Sequence, residues 1–162
     1  QPQEALRGAI DHRAHLRAVA YRMLGTTADP GDPAGKDEVL RAGDRVAAVV
    51  AYYPPTDVRP WVNESSPYWQ NYPALRFEPA QSPAYSPLLH VSPDDAPTLL
   101  ISGDKDTLVP LEHSQKILAE MEQKKVPCEL LVIPGAGHGF KGDDGRRASE
   151  ATVRWFQKHL VK

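Results

Sequence analysis

Few residues in this chain are placed to do acid–base or nucleophilic chemistry. Asp104 and Asp106 stand in Gly103-Asp-Lys-Asp-Thr-Leu-Val-Pro110, and His138 stands in Gly135-Ala-Gly-His-Gly-Phe140. Each group follows a short apolar run, Thr98–Ser102 and Cys128–Ile133. An aspartate and a histidine at the tips of neighbouring strands can share one hydrogen bond, which orients the imidazole as a general base. Asp104, Asp106, Glu112, His113 and His138 also invite a metal, but their spacings match no tight zinc or calcium pattern, so neither metal nor cofactor is expected. The glycines around His138 are not a phosphate loop, because no Lys-Ser/Thr follows and no helix starts there. The lone Cys128 lies inside a strand-like run and reads as a small core residue, with no internal disulfide.

The elements that must position Asp106 and His138 follow from periodicity. A helical pattern from about Leu111 to Lys124 separates the two apolar runs, which makes a βαβ unit with parallel strands and a right-handed crossover. Leu111, Leu118 and Met121 fall near one face of that helix, and Glu120 and Lys124 form an i,i+4 pair. Val46–Tyr52 is a third continuous apolar run. The expected fold is therefore α/β, a small, mainly parallel sheet of about three strands flanked by helices. Ala5–Leu24 has a helical pattern, and a last helix runs from Asp143-Asp144 to about Leu160, burying Ala148, Ala151, Trp155 and Leu160. His159 would then be a cation at the negative end of that helix.

From Tyr53 to Pro97 the composition changes to prolines and scattered aromatics, which forbids long helices and central strands. This stretch, residues 53–97, reads as a lid-like insertion over the carboxyl end of the sheet. Tyr53, Trp61, Trp69, Leu108, Val109 and Phe140 are the candidate pocket or lid residues, and His90 is expected to be a buried hydrogen-bonding residue. At 162 residues, 1–162 reads as a single domain. A formal charge of −2 gives no reason to expect nucleic acid or an anionic membrane surface as partner. No apolar run has the length of a membrane span, and Gln1-Pro-Gln-Glu is not a signal peptide, so cytoplasmic and secreted locations both stay open.

Four segments carry a resemblance. Val49–Asp57, Tyr85–Ile101, Gly103–Pro110 and Gly135–Phe140 are similar to the C-terminal half of the α/β-hydrolase superfamily, and to its acetyl and feruloyl esterase-like branch most of all. The resemblance implies that Asp106 is the triad acid and His138 the triad histidine, with Asp104 a decoy, in the chain order acid then histidine. It also implies a serine on a Gly-x-Ser-x-Gly elbow, and no such motif occurs in the sequence. Counting back from Leu24-Gly-Thr-Thr27 puts His15 at the nucleophile's position. The chain thus reads as a truncated α/β-hydrolase that keeps acid and histidine without the serine elbow.

Three functions follow as expectations. One is hydrolysis of short-chain or sugar-linked (acetyl or feruloyl) carboxylic esters. Another is a non-catalytic hydrolase fragment that folds as an oligomer. The third is kinship with peptidases of the prolyl-oligopeptidase type. An exposed edge on the Val46–Tyr52 strand would favour a homodimer or higher assembly.

Overall fold

A computed structural model describes residues 46–160 of the chain. Strands β1 (Val49–Tyr52), β2 (Thr98–Gly103) and β3 (Cys128–Ile133) form a parallel sheet in the order β1-β2-β3. Val49 stands opposite Thr98, and Thr98 opposite Cys128, so the carboxyl ends of all three strands share one rim. Helices α1 (Pro67–Asn71), α2 (Glu112–Gln123) and α3 (Gly142–Leu160) accompany them. This small parallel sheet flanked by helices is the α/β architecture expected from the apolar runs. The expected helix over residues 5–24 lies outside the described residues.

The first strand begins later than its apolar run suggests. Val46 is 37% exposed, and pairing starts at Val49, whose N–H donates to the Pro97 carbonyl at 2.8 Å. The next bond upstream in a parallel ladder would need an N–H from Pro97, which has none. β2 is central, and every one of its residues is buried. Its alternate side chains feed two cores. Leu100 joins Val49, Ala51, Ile117, Met121 and Val126 on the α2 side, while Leu99 and Ile101 join Ile133, Ala148 and Trp155 on the α3 side. Leu100, Ile101 and Ile133 are fully enclosed, and each contributes roughly 1.5–3 kcal/mol by leaving water.

The helices differ from expectation at their margins. α2 buries Ser114, Ile117 and Met121, and Leu118 is only half-buried. Ser114 Oγ lies 2.7 Å from Ser102 Oγ, a polar bridge between α2 and β2. In α3 the buried stripe stops at Trp155, and Leu160 is 50% exposed. Lys158 already pairs with Glu129 near the start of β3, so the helix end has run past the strand that would cover Leu160. His159, at the end of that helix, packs inward. Its ring lies 4.2 Å from that of Trp155, and its Nε2 is buried without a hydrogen-bond partner. His90 is hydrogen-bonded as expected, donating to the Pro83 carbonyl at 2.9 Å, but it is exposed.

Residues 53–97 form α1 and three 3-10 turns, Pro73–Leu75, Pro79–Tyr85 and Pro87–His90, each opened by a proline. Proline's fixed φ suits a first-turn position and rules out the long helix interior. Val58, Val62 and Leu75 make a third small core here, ringed by Trp61, Tyr68, Trp69, Phe77 and Tyr85. Among the described residues, no helix is long and apolar enough to cross a membrane.

Candidate active site

The site forms where the loops after β2 and β3 meet. Gly103 permits the meeting, since a Cβ at that position would lie 2.1 Å from the Ala136 carbonyl oxygen. Hydrogen bonds then lace the two loops together. The Lys105 N–H donates to Ala136 O at 3.0 Å, and the Gly135 N–H donates to Asp104 Oδ1 at 2.6 Å. Gly135 has φ +75°, a left-handed conformation that glycine adopts without strain. Asp104 is therefore an exposed tie between loops.

Asp106 points inward and its side chain is fully enclosed, with 0% exposure. Its Oδ1 accepts the N–H groups of Leu108 and Val109, both at 2.9 Å. Its Oδ2 lies 2.9 Å from His138 Nδ1. A carboxylate fixed by two amides presents its second oxygen in one direction only, so His138 donates from Nδ1 and keeps Nε2 for the open side. The His138 side chain is 34% exposed. This geometry can accept a proton at Nε2 from a reacting hydroxyl or water while Asp106 holds the ring.

Aromatic residues wall the histidine. The Tyr53 ring centroid lies 4.2 Å from that of His138 and 5.3 Å from that of Phe140, which in turn sits 6.0 Å from Tyr52. Tyr53 has φ +38°, rare for a residue with a side chain, and such a conformation costs on the order of 1–3 kcal/mol. The β1–β2 ladder holds it there, because the Tyr53 N–H donates to Ile101 O at 2.7 Å.

The 53–97 stretch is fastened to the acid loop from the other side. Trp61 stacks on Tyr68 at 4.4 Å with an interplanar angle of 11°. The Tyr68 hydroxyl donates at 3.0 Å to Leu108 O, the carbonyl of the same peptide unit whose Val109 N–H holds Asp106. Burial raises the Tyr68 hydroxyl above its ordinary range, so it stays a donor at neutral pH. Asp57 also belongs to this stretch, and its bidentate bond with Arg59, 2.8 Å on each branch, holds its carboxyl below the usual carboxylate range.

His113, at the start of α2, is the second fastening. Its Nδ1 accepts from the backbone N–H groups of Thr56 at 3.2 Å and Asp57 at 3.3 Å, its carbonyl accepts from Thr56 Oγ1 at 2.7 Å, and its ring packs 4.6 Å from Trp61. Only a neutral ring can accept at Nδ1. Burial lowers the tendency of His113 to protonate, against the opposing charges of Asp57 and Glu112 and with the help of Lys116. Because its folded value lies below the ordinary value of about 6.5, the unfolded chain binds the extra proton first as acid is added. The stability His113 confers is thus complete above about pH 6.5 and is lost as pH falls through the folded value. Urea midpoints are expected to drop between about pH 7.5 and pH 5.5, and to drop less in a His113→Asn variant, which cannot titrate. Equal drops in the two proteins would remove this role.

The structure brings Asp106, His138, Tyr53, Phe140, Leu108 and Val109 together, the last two through their backbone amides. Trp61 reaches this group only through Tyr68. Trp69 packs in the third core, and its carbonyl accepts from Arg76 Nε at 2.9 Å. His15 lies outside the described residues. Cys128 does not take the nucleophile's place. It opens β3 at the rim opposite His138, and burial pushes its thiol up to about 12, so it carries almost no thiolate at neutral pH. Among the described residues, no three His, Cys, Asp or Glu side chains converge into a metal-binding group. Sequence reasoning missed Thr56, Tyr68 and His113 as site-building residues. His113 lies 57 residues from its partner Thr56, and no local spacing links them.

Known proteins share this arrangement of elements. Esterase LipC of Mycobacterium tuberculosis is 29% identical over 145 residues, which cover 82% of this chain and 34% of that protein. A puromycin-hydrolyzing peptidase of the same organism superposes with a TM-score of 0.59 at 27% identity, over 70% of this chain and 18% of its own. An esterase of Thermogutta terrifontis gives 0.62 at 21% identity, over 91% and 54%, a likeness of fold. This chain thus spans about a third of LipC and less than a fifth of the peptidase. These neighbours place it among the α/β-hydrolase esterases and peptidases, as the segments around Asp106 and His138 suggested. The profile of the prolyl oligopeptidase family matches residues 39–162, from ahead of β1 through the whole of α3. With strands, crossover helix and both functional loops inside that match, the chain belongs to the prolyl oligopeptidase family.

Proposed function

We propose that this chain carries the acid–base half of a serine-hydrolase site acting on carboxylic ester or peptide-type acyl bonds. The observation that carries the reading is the 2.9 Å contact between His138 Nδ1 and an Asp106 carboxylate pinned by two amides. With a serine, His138 Nε2 would take the hydroxyl proton as Oγ adds to the acyl carbon, then return it to the leaving group. This sequence holds no Gly-x-Ser-x-Gly elbow, and in a reaction run by this chain alone water would add in the serine's place. Its oxygen adds to the carbonyl carbon, its proton passes to Nε2, and the tetrahedral adduct collapses by expelling the alcohol, which His138 protonates. Such a partial site works slowly and on activated esters first. Short-chain and sugar-linked acyl groups remain the preferred substrates within this reading, supported by the resemblance of the four segments and by the aromatic wall beside His138.

Hydrolysis of p-nitrophenyl acetate and of alanyl p-nitroanilide, compared among this chain, His138→Ala and Asp106→Ala, tests the reading and separates esterase from peptidase. Both variants are expected to fall to the uncatalysed rate. Equal rates in all three proteins overturn it.

A second reading has its own support. Val49 and Tyr53 donate towards β2, so the N–H and C=O groups of Val50 and Tyr52 face the other edge of β1, where no strand pairs among the described residues. A non-catalytic member that folds as a homodimer through this edge would use those groups. Light scattering at micromolar concentration decides it, and a monomer excludes the dimer.

A further inference from the structure

The loop that carries His138 has little of its own to hold the ring. Gly137 and Gly139 flank the histidine, and Gly139 has φ +89°. Neither neighbour has a side chain to pack against the imidazole. One hydrogen bond donated to Asp106 fixes Nδ1, and a single bond leaves the ring plane free to rock about it. The ring that lies against the imidazole is that of Tyr53, with centroids 4.2 Å apart and planes tilted by 50°. Tyr53 reaches that place only through the left-handed turn at φ +38°, directly ahead of Pro54 and Pro55. A residue before proline favours extended backbone, so this conformation runs against both its side chain and its neighbour. Phe140 backs Tyr53 edge-on at 5.3 Å and Tyr52 lies at 6.0 Å, so the tyrosine ring is itself held. Strain that the surrounding structure enforces at a putting-together of functional groups points to a role for the strained residue.

We propose that Tyr53 is a positioning residue, whose ring, delivered by a strained turn at the end of β1, holds the His138 imidazole in the Nδ1–H orientation that leaves Nε2 free. Its phenol hydroxyl makes no part of this, since the contact is made by the ring. The inference rests on the reading of Asp106 and His138 as the reacting pair. Its test reads the ring itself, so it stands or falls separately from ester turnover.

Three variants test it. Tyr53→Phe keeps the ring, Tyr53→Ala removes it, and Tyr53→Gly removes it while accepting φ +38° without strain, which keeps the backbone turn. Diethyl pyrocarbonate modification, followed site by site by peptide mass spectrometry, is expected to speed up at His138 by roughly 3–10-fold in the Ala and Gly variants, the factor carried by one lost aromatic contact. Tyr53→Phe is expected to match the parent. Rates at His113 and His159 are expected to stay unchanged in every variant and report that the fold is intact. In long-range proton–nitrogen spectra the His138 Nδ1 and Nε2 signals, distinct in the parent, are expected to move towards each other in Tyr53→Gly as the ring samples both tautomers. A folded Tyr53→Gly protein with parental His138 reactivity and parental nitrogen signals overturns the proposal, and so does a Tyr53→Phe protein that behaves like Tyr53→Ala.

Discussion

Asp106→Ala is expected to loosen the acid loop as well as remove the acid. The carboxylate has no exposure and takes up the N–H groups of Leu108 and Val109 besides His138. Alanine strands those two donors, and each buried donor left unmade costs about 1–3 kcal/mol. A melting temperature lower by on the order of 10 °C is expected for a chain of this size. Asp106→Asn separates stability from chemistry. Its carbonyl oxygen still accepts the two amides, so the fold should hold within about 1 kcal/mol. Its NH₂ group, however, faces His138 and forces the ring to accept at Nδ1, which puts the proton on Nε2. The general base is then gone, a loss on the order of 10⁴ in turnover where a serine triad is complete. Melting curves and ester assays on both variants check this. An Ala variant as stable as the parent would show that the two amide bonds do not hold the loop.

Among the glycines of the described residues, Gly103→Ala is expected to produce the largest structural effect. The added carbon would meet the Ala136 carbonyl oxygen at 2.1 Å, and the obstacle is backbone, which no rotamer change can move aside. Forcing the β2 and β3 loops apart should cost at least about 1–3 kcal/mol. It also strains the Lys105–Ala136 bond and widens the gap between Asp106 and His138, which sit on the two separated loops. Urea denaturation gives the stability term. An unchanged midpoint would mean that the loops tolerate a wider separation than the close approach of Gly103 implies.

Much of the framework was legible beforehand because it depends on local pattern. Thr98–Ser102 reads as a buried parallel strand from its short apolar run, and the run is apolar because both faces of β2 are covered. Glu112–Gln123 reads as a helix from its spacing and from Pro110 just ahead of it. Asp106 and His138 were legible as a pair because each follows a strand of one βαβ unit, and parallel strands deliver their loops to the same rim. The errors have local causes too. β1 starts late because Pro97 on the neighbouring strand lacks a donor, and Leu160 is exposed because α3 outruns β3.

What the amino-acid order determined by itself was the parallel framework and the two loops able to carry an acid and a base. The choice between Asp104 and Asp106, two residues apart, leant on resemblance, and in space the two separate sharply: one ties Gly135 at the surface, the other is enclosed against His138. Only the tertiary structure placed Tyr53 over the histidine and His113 beneath Thr56. Those contacts join residues 85 and 57 positions apart, and nothing periodic in a chain encodes a meeting at such distance. They exist because burial of the two sheet faces brings the segments together, after which short-range packing and hydrogen bonding select the partners.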